Sequence, residues 1–114
     1  KILNQNGYIA YSAITATTRF DHYFRHLYRL YKFVDTSCLI EDDERYEYTC
    51  IIRSQLSDYE LVILFYNCLT PNGREKFKPL IEKYSVFKNL RYELLAKSRD
   101  REEFAQSAYN RFTM

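Results

Sequence analysis

The chain has 114 residues, 46% hydrophobic and 28% charged, with 17 Lys and Arg against 15 Asp and Glu for a formal net charge of +2. That length suits one compact domain rather than two, the composition excludes a low-complexity or disordered chain, and the near-neutral balance excludes the strongly basic character of a dedicated nucleic-acid binder. Twelve Tyr and eight Phe stand beside only two Gly and two Pro, a usage that starves β-turns and favours helices.

Residues 1–18 are polar and poorly periodic apart from Ile9, Tyr11 and Ile14, and read as a short helix or a loop against the core. Over residues 20–34, Phe20, Tyr23, Phe24, Leu27, Leu30, Tyr31 and Val34 recur at helical spacing and share one arc of the wheel, which predicts an amphipathic helix with an apolar stripe in the core. The opposite arc carries Arg19, His22, Arg25, His26, Arg29 and Lys32, a cationic stripe.

Residues 35–44 hold five acids, Asp35, Glu41, Asp42, Asp43 and Glu44, and read as a solvated connection. The last three suit the first turn of a helix, where they face its positive dipole end. That helix is expected to run to about Ser54 and to bury Tyr48, Ile51 and Ile52.

Ser57 and Glu60 have the spacing of a capping box, in which each side chain satisfies the other's unpaired backbone N–H, and Leu56 and Leu61 occupy the flanking staple positions. A helix therefore starts at Asp58, and its run through Leu69 is apolar nearly all round, which places it at the centre of a bundle. That run is about half the ~20 residues needed to cross a bilayer. Thr70-Pro71-Asn72-Gly73 reads as a stop and turn. Residues 76–84 are helical in pattern, with Pro79 either kinking the helix or opening a second segment. A further short helix is expected over 86–95, and a peripheral helix or partly ordered tail over 96–114.

No Walker, dinucleotide, nucleophile-elbow or zinc-finger pattern is present, so no cofactor is expected. Cys38, Cys50 and Cys68 are odd in number and include no C-x-x-C pair, which argues for reduced thiols in a cytoplasmic setting. His22 and His26 have the four-residue spacing of two metal ligands, but the sequence supplies no third, and no metal is expected. Arg19 and His26, seven apart on the same arc, resemble the Arg-His motif of HEPN ribonucleases, although Phe20 stands where that family places a polar residue. This resemblance implies a metal-independent ribonuclease in which the imidazole moves protons and the guanidinium stabilises phosphate charge. The stripe as a whole has the chemistry to dock RNA, anionic lipid, or the acids 41–44 of its own or a neighbouring chain, with neutralisation by the protein's own acids the commonest fate. Arg53, Gln55 and Asn67 are polar groups in or beside the most apolar part of the chain, where a hydrogen-bonded network joining helices is the default and a functional pocket the alternative.

Four blocks in order, 22–30 (His22-Tyr23-Phe24-Arg25-His26-Leu27-Tyr28-Arg29-Leu30), 52–61, 64–69 (Leu64-Phe65-Tyr66-Asn67-Cys68-Leu69) and 76–84 with Lys88-Asn89-Leu90, resemble the phage abortive infection proteins of the AbiC-like group. The likeness covers about 21–90, and 52–61, Ile52-Arg53-Ser54-Gln55-Leu56-Ser57-Asp58-Tyr59-Glu60-Leu61, is its most distinctive block. It implies a bacterial antiphage protein whose infected host stops growing or dies before phage release, and it brings no catalytic residues with it. Members often carry hydrophobic segments and a coiled linker upstream, so the chain is expected to be the soluble, cytoplasmic C-terminal part of a longer protein held at the inner membrane.

The expectation is thus an all-α, single-domain, compact bundle of about five helices around residues 58–69. Its expected role is that of an effector or sensor that binds a protein partner from phage or host, with homo-oligomers, RNA or an anionic membrane surface as further partners of the stripe. A ribonuclease using Arg19 and His26 is the catalytic alternative.

Overall fold

In the computed structural model of the chain, residues 20–110 are described. The readings made on residues 1–18 and on Arg19 lie outside that range. The described residues form five α-helices, α1 (Asp21–Thr36), α2 (Asp42–Arg53), α3 (Asp58–Asn67), α4 (Pro71–Lys76) and α5 (Lys78–Tyr84), followed by short 3-10 turns at Tyr92–Leu94, Ser98–Glu103 and Gln106–Ala108. No strand occurs among them, and the fold is all-α.

The capping box forms as its spacing requires. Ser57 N–H donates to Glu60 Oε1 at 2.9 Å and Glu60 N–H donates to Ser57 Oγ at 3.2 Å, closing two orphan donors at the start of α3. From there Leu61, Val62, Ile63, Leu64 and Phe65 are all buried. Five consecutive buried residues point around the whole circumference of a helix, so α3 is enclosed on every side. Each such side chain contributes about 1.5–3 kcal/mol of burial energy.

Helix α1 joins the same core through Phe24, Leu27 and Tyr31, and Val34 is buried further along the same line. The apolar stripe is narrower than the sequence implies. Tyr23 and Phe20 are more than a third exposed and Leu30 is 52% exposed, because only the 24/27/31/34 line faces the body. Helix α2 departs further from expectation. Thr49 is its buried residue, Ile52 is half-buried, and Tyr48 and Ile51 stay exposed, Ile51 at 61%.

The cause is Arg45. Its guanidinium donates to the carbonyls of Val34 and, at 3.0 Å, of Ser37, so it caps the C-terminal end of α1. It thereby sets α2 on the line Arg45–Thr49–Ile52 rather than on its most apolar face. Glu41, Asp42, Asp43 and Glu44 are exposed, as a solvated connection requires, while Asp35 is half-buried and tied to α5 by Lys83 and Tyr84.

Thr70-Pro71-Asn72-Gly73 does not stop the chain in a turn but opens α4. Thr70 is the N-cap, its Oγ1 accepting from Gly73 N–H at 3.4 Å, and Pro71 occupies the first turn. Thr followed by Pro satisfies the cap-and-first-turn preference as well as it satisfies a turn. Helix α5 then begins at Lys78 with Pro79 in its first turn, so Pro79 opens a second segment after a break at Phe77.

Helix α5 ends at Ser85, a non-glycine residue in the left-handed region with φ 51°. It is held there by its own hydroxyl, which donates to Ser107 O at 2.7 Å. No α-helix covers 86–95. Val86, Phe87, Leu90 and Leu95 are buried through turns and the 3-10 segment at Tyr92–Leu94.

Nor is the tail peripheral. Phe104, Ala108 and Tyr109 are buried. The Phe104 ring centroid lies 5.0 Å from those of both Phe65 and Phe87, edge-on to the latter, an arrangement that aromatic quadrupoles favour. The Tyr66 hydroxyl clasps the same segment to α3, accepting from Ala96 N–H at 2.8 Å and donating to Asp100 Oδ2 at 2.9 Å. Burial and the Asp100 hydrogen bond both push the Tyr66 pKa up.

Candidate functional site: a cationic cleft between α1 and α4

The exposed arc of α1 carries His22, Arg25, His26, Arg29 and Lys32 as the helical period dictates, and all five are exposed. The acids at 41–44 leave this arc alone: Asp42 pairs with Arg45 at 3.0 Å. Among the described residues Arg29 and Lys32 form no ion pair, and no cluster of His, Cys, Asp or Glu suited to a metal ion occurs.

Arg25 and Arg29, one turn apart, lean toward the junction of α3 and α4. There they line a cleft of about 430 Å³ together with Asn67 at the end of α3 and Lys76 at the end of α4. Its floor is aromatic: Phe24 and Phe77 are buried and Tyr28 half-buried. The Tyr28 and Phe77 rings meet edge to face with centroids 5.6 Å apart. Thr70, Asn72 and Gly73 form the remaining wall. Three cations thus ring an aromatic floor, and among the described residues no carboxylate lines the space.

Gly73 sets the width of this wall. A Cβ there would lie 2.5 Å from Asn67 O and 2.7 Å from Cys68 Cα, so only glycine lets α4 lie this close to the end of α3. The same Asn67 carbonyl accepts from the Thr70 hydroxyl at 2.6 Å, which fixes the corner. Asn67 lines the cleft, and among the described residues no hydrogen bond engages its side-chain amide.

Of the residues singled out from sequence, Arg25, Arg29 and Asn67 come together here. His22, His26 and Lys32 lie on the same helix outside the cleft lining. Arg53 and Gln55 are elsewhere. Arg53 Nη1 donates to Ser85 O at 3.3 Å and to Tyr46 Oη at 3.4 Å, joining α2 to the end of α5. Gln55 is exposed and donates to Ser54 Oγ at 3.4 Å.

Sequence reasoning missed Lys76, Tyr28 and Phe77 as cleft residues. Reading Thr70-Pro71 as a helix start would have put Lys76 at the end of a one-turn helix beside Asn67. The pairing of Tyr28 with Phe77 has no local signal. The cysteines are dispersed, Cys38 exposed, Cys50 half-buried and Cys68 buried, and burial pushes the Cys68 thiol pKa well up.

Tyr23, in the first turn of α1, lies outside the cleft lining and beside the Glu60 carboxylate. Burial and this carboxylate raise the Tyr23 pKa to about 12. Burial alone would raise Glu60, but its hydrogen bonds from Ser57 and Tyr23 outweigh that and hold it below the usual carboxylate range.

No helix among the described residues is long and apolar enough to cross a membrane. No curated protein and no solved structure matches the chain. The sequence profile of the family described as "Putative phage abortive infection protein" matches residues 15–95, a span that contains every residue of the cleft. With that match extending over well more than half of its length, the chain belongs to this phage abortive infection family.

Proposed function

We propose that the chain acts in abortive infection as a binding module, an effector or sensor whose α1–α4 cleft captures an anionic partner supplied by phage or host. The observation that carries this reading is the convergence of Arg25, Arg29 and Lys76 from two helices on one aromatic-floored cavity without a lining carboxylate. Arg29 and Lys76, which form no ion pair among the described residues, are like charges on one small surface and gain most when an anion enters between them. An aromatic floor excludes water and strengthens those contacts.

The test is a phage challenge of bacteria expressing the complete protein. Arg25→Glu combined with Arg29→Glu is expected to abolish protection at unchanged protein level, while Lys88→Glu, an exposed change on the opposite part of the sequence, leaves it intact. Full protection by the double variant would overturn the reading.

A further inference from the structure

We propose that the α1–α4 cleft is a nucleotide site, its cations holding a phosphate and its aromatic floor a base. This inference rests on the reading of the cleft as the binding surface, and deepens it by naming the ligand's chemistry. The volume of about 430 Å³ lies within the range of small-molecule pockets, ~300–1,000 Å³. The occupant is one compact unit or one unit of a single strand.

Two kinds of chemistry share that space. At the rim, Arg25 and Arg29 present guanidinium groups one helical turn apart, and Lys76 faces them from the end of α4. Guanidinium forks match phosphate oxygens bidentately, and an ammonium adds a point charge. An inorganic anion would need only this rim.

Beneath it lie Phe24, Tyr28 and Phe77. The Tyr28–Phe77 contact is edge to face, at 67° between ring planes, so the two rings do not stack on each other. Phe24 and Phe77 are 4% and 3% exposed, so the half-buried Tyr28 is the ring left open to a flat, polarisable group, and stacking on such a ring is how proteins hold unpaired bases. Asn67 is part of the same lining, and its amide carries the donor and acceptor pair that reads a base edge. An acyl chain would leave that amide without a partner, which disfavours a lipid as the occupant.

The unit is a nucleoside phosphate, either free or within single-stranded RNA, and binding by the complete protein distinguishes the two. Titration calorimetry with each of the four ribonucleoside 5′-monophosphates, the parent nucleosides, inorganic phosphate and a short single-stranded RNA is the experiment. At least one monophosphate or the RNA is expected to bind, with the nucleoside and inorganic phosphate each at least about tenfold weaker. Lys76→Glu is expected to abolish binding, and Tyr28→Ala to weaken it about tenfold by removing the stacking surface. Lys76 is exposed, so its variant tests the site even where Tyr28→Ala impairs folding.

Binding of monophosphates but not of the RNA assigns the free nucleotide. RNA binding that a monophosphate competes away assigns the strand. The proposal is overturned by the absence of nucleotide and RNA binding at millimolar ligand, by inorganic phosphate binding as tightly as any nucleotide, or by binding that survives Lys76→Glu. It is equally overturned when anionic phosphatidylglycerol vesicles bind in a cleft-dependent manner and nucleotides do not compete. Should nucleotide binding fail while Arg25→Glu with Arg29→Glu still abolishes phage protection, the nucleotide assignment falls and the cleft remains the binding surface for another anion.

Discussion

The Tyr84 hydroxyl donates a 2.6 Å hydrogen bond to Asp35 Oδ1, and Lys83 Nζ reaches the same oxygen at 2.6 Å. The last turn of α1 is thereby joined to the last turn of α5, 49 residues away in sequence. Burial by itself would raise the Asp35 pKa, but the bonds from Lys83 and Tyr84 outweigh it and hold it below the usual carboxylate range.

A group whose pKa is depressed by folding contributes stability that is complete above its unfolded value, near ~4, and is lost as pH falls through the lower folded value. Asp35→Ala is expected to cost about 1–3 kcal/mol near neutral pH, where it removes a carboxylate partner from the buried Tyr84 hydroxyl. Asp35→Asn is expected to flatten the acid limb of the stability curve. Urea titrations at stepped pH measure both, and an unchanged acid limb in Asp35→Asn would contradict the assignment.

Gly73→Ala is expected to destabilise the fold by about 1–3 kcal/mol, because the new methyl group meets backbone atoms of Asn67 and Cys68 that have nowhere to go. The same change should weaken ligand capture, since relief of the clash moves α4 and Lys76 away from Arg29. Denaturant midpoint and ligand affinity, read on one preparation, test the two effects together.

Phe104→Ala is expected to cost about 3–5 kcal/mol, the range for removing a buried aromatic side chain, since Phe104 fills the space between Phe65 and Phe87. Ending the chain at residue 95, where the family match stops, should cost more, and circular dichroism with thermal unfolding reads the difference. A truncated chain as stable as the complete one would show that the aromatic cluster closes without its third ring.

Purified protein is expected to leave RNA intact. His26 stands on the solvent-facing arc of α1, outside the cleft lining, and Arg19 is its only sequence-proposed partner. Incubation with labelled single-stranded RNA without metal is the assay. Cleavage that vanishes in a folded His26→Ala variant would instead establish the ribonuclease reading.

Where physical signals are local, the sequence carried them openly. The helical period placed α1, the Ser57–Glu60 box placed the start of α3 to the residue, and Pro79 marked the break before α5. Where a residue's role depends on what lies across from it, local reasoning failed. Ile51 reads as core until Arg45 turns α2 by capping α1. Phe104 and Tyr109 read as tail because the stretch around them is charged and then mixed, yet a 3-10 path brings both inside. The cleft was half visible: Arg25 and Arg29 share a face by periodicity, and Asn67 stands out as polar in an apolar run. Lys76, Tyr28 and Phe77 join them only through the crossing of two helices that have no sequence relation.

The apolar axis of α3 receives its last cover from Phe104, Ala108 and Tyr109, some forty residues downstream of Phe65. During synthesis, therefore, Phe65 is made well before the ring that shields it. A chain not yet extended to Phe104 leaves the rings of Phe65 and Phe87 short of one aromatic neighbour.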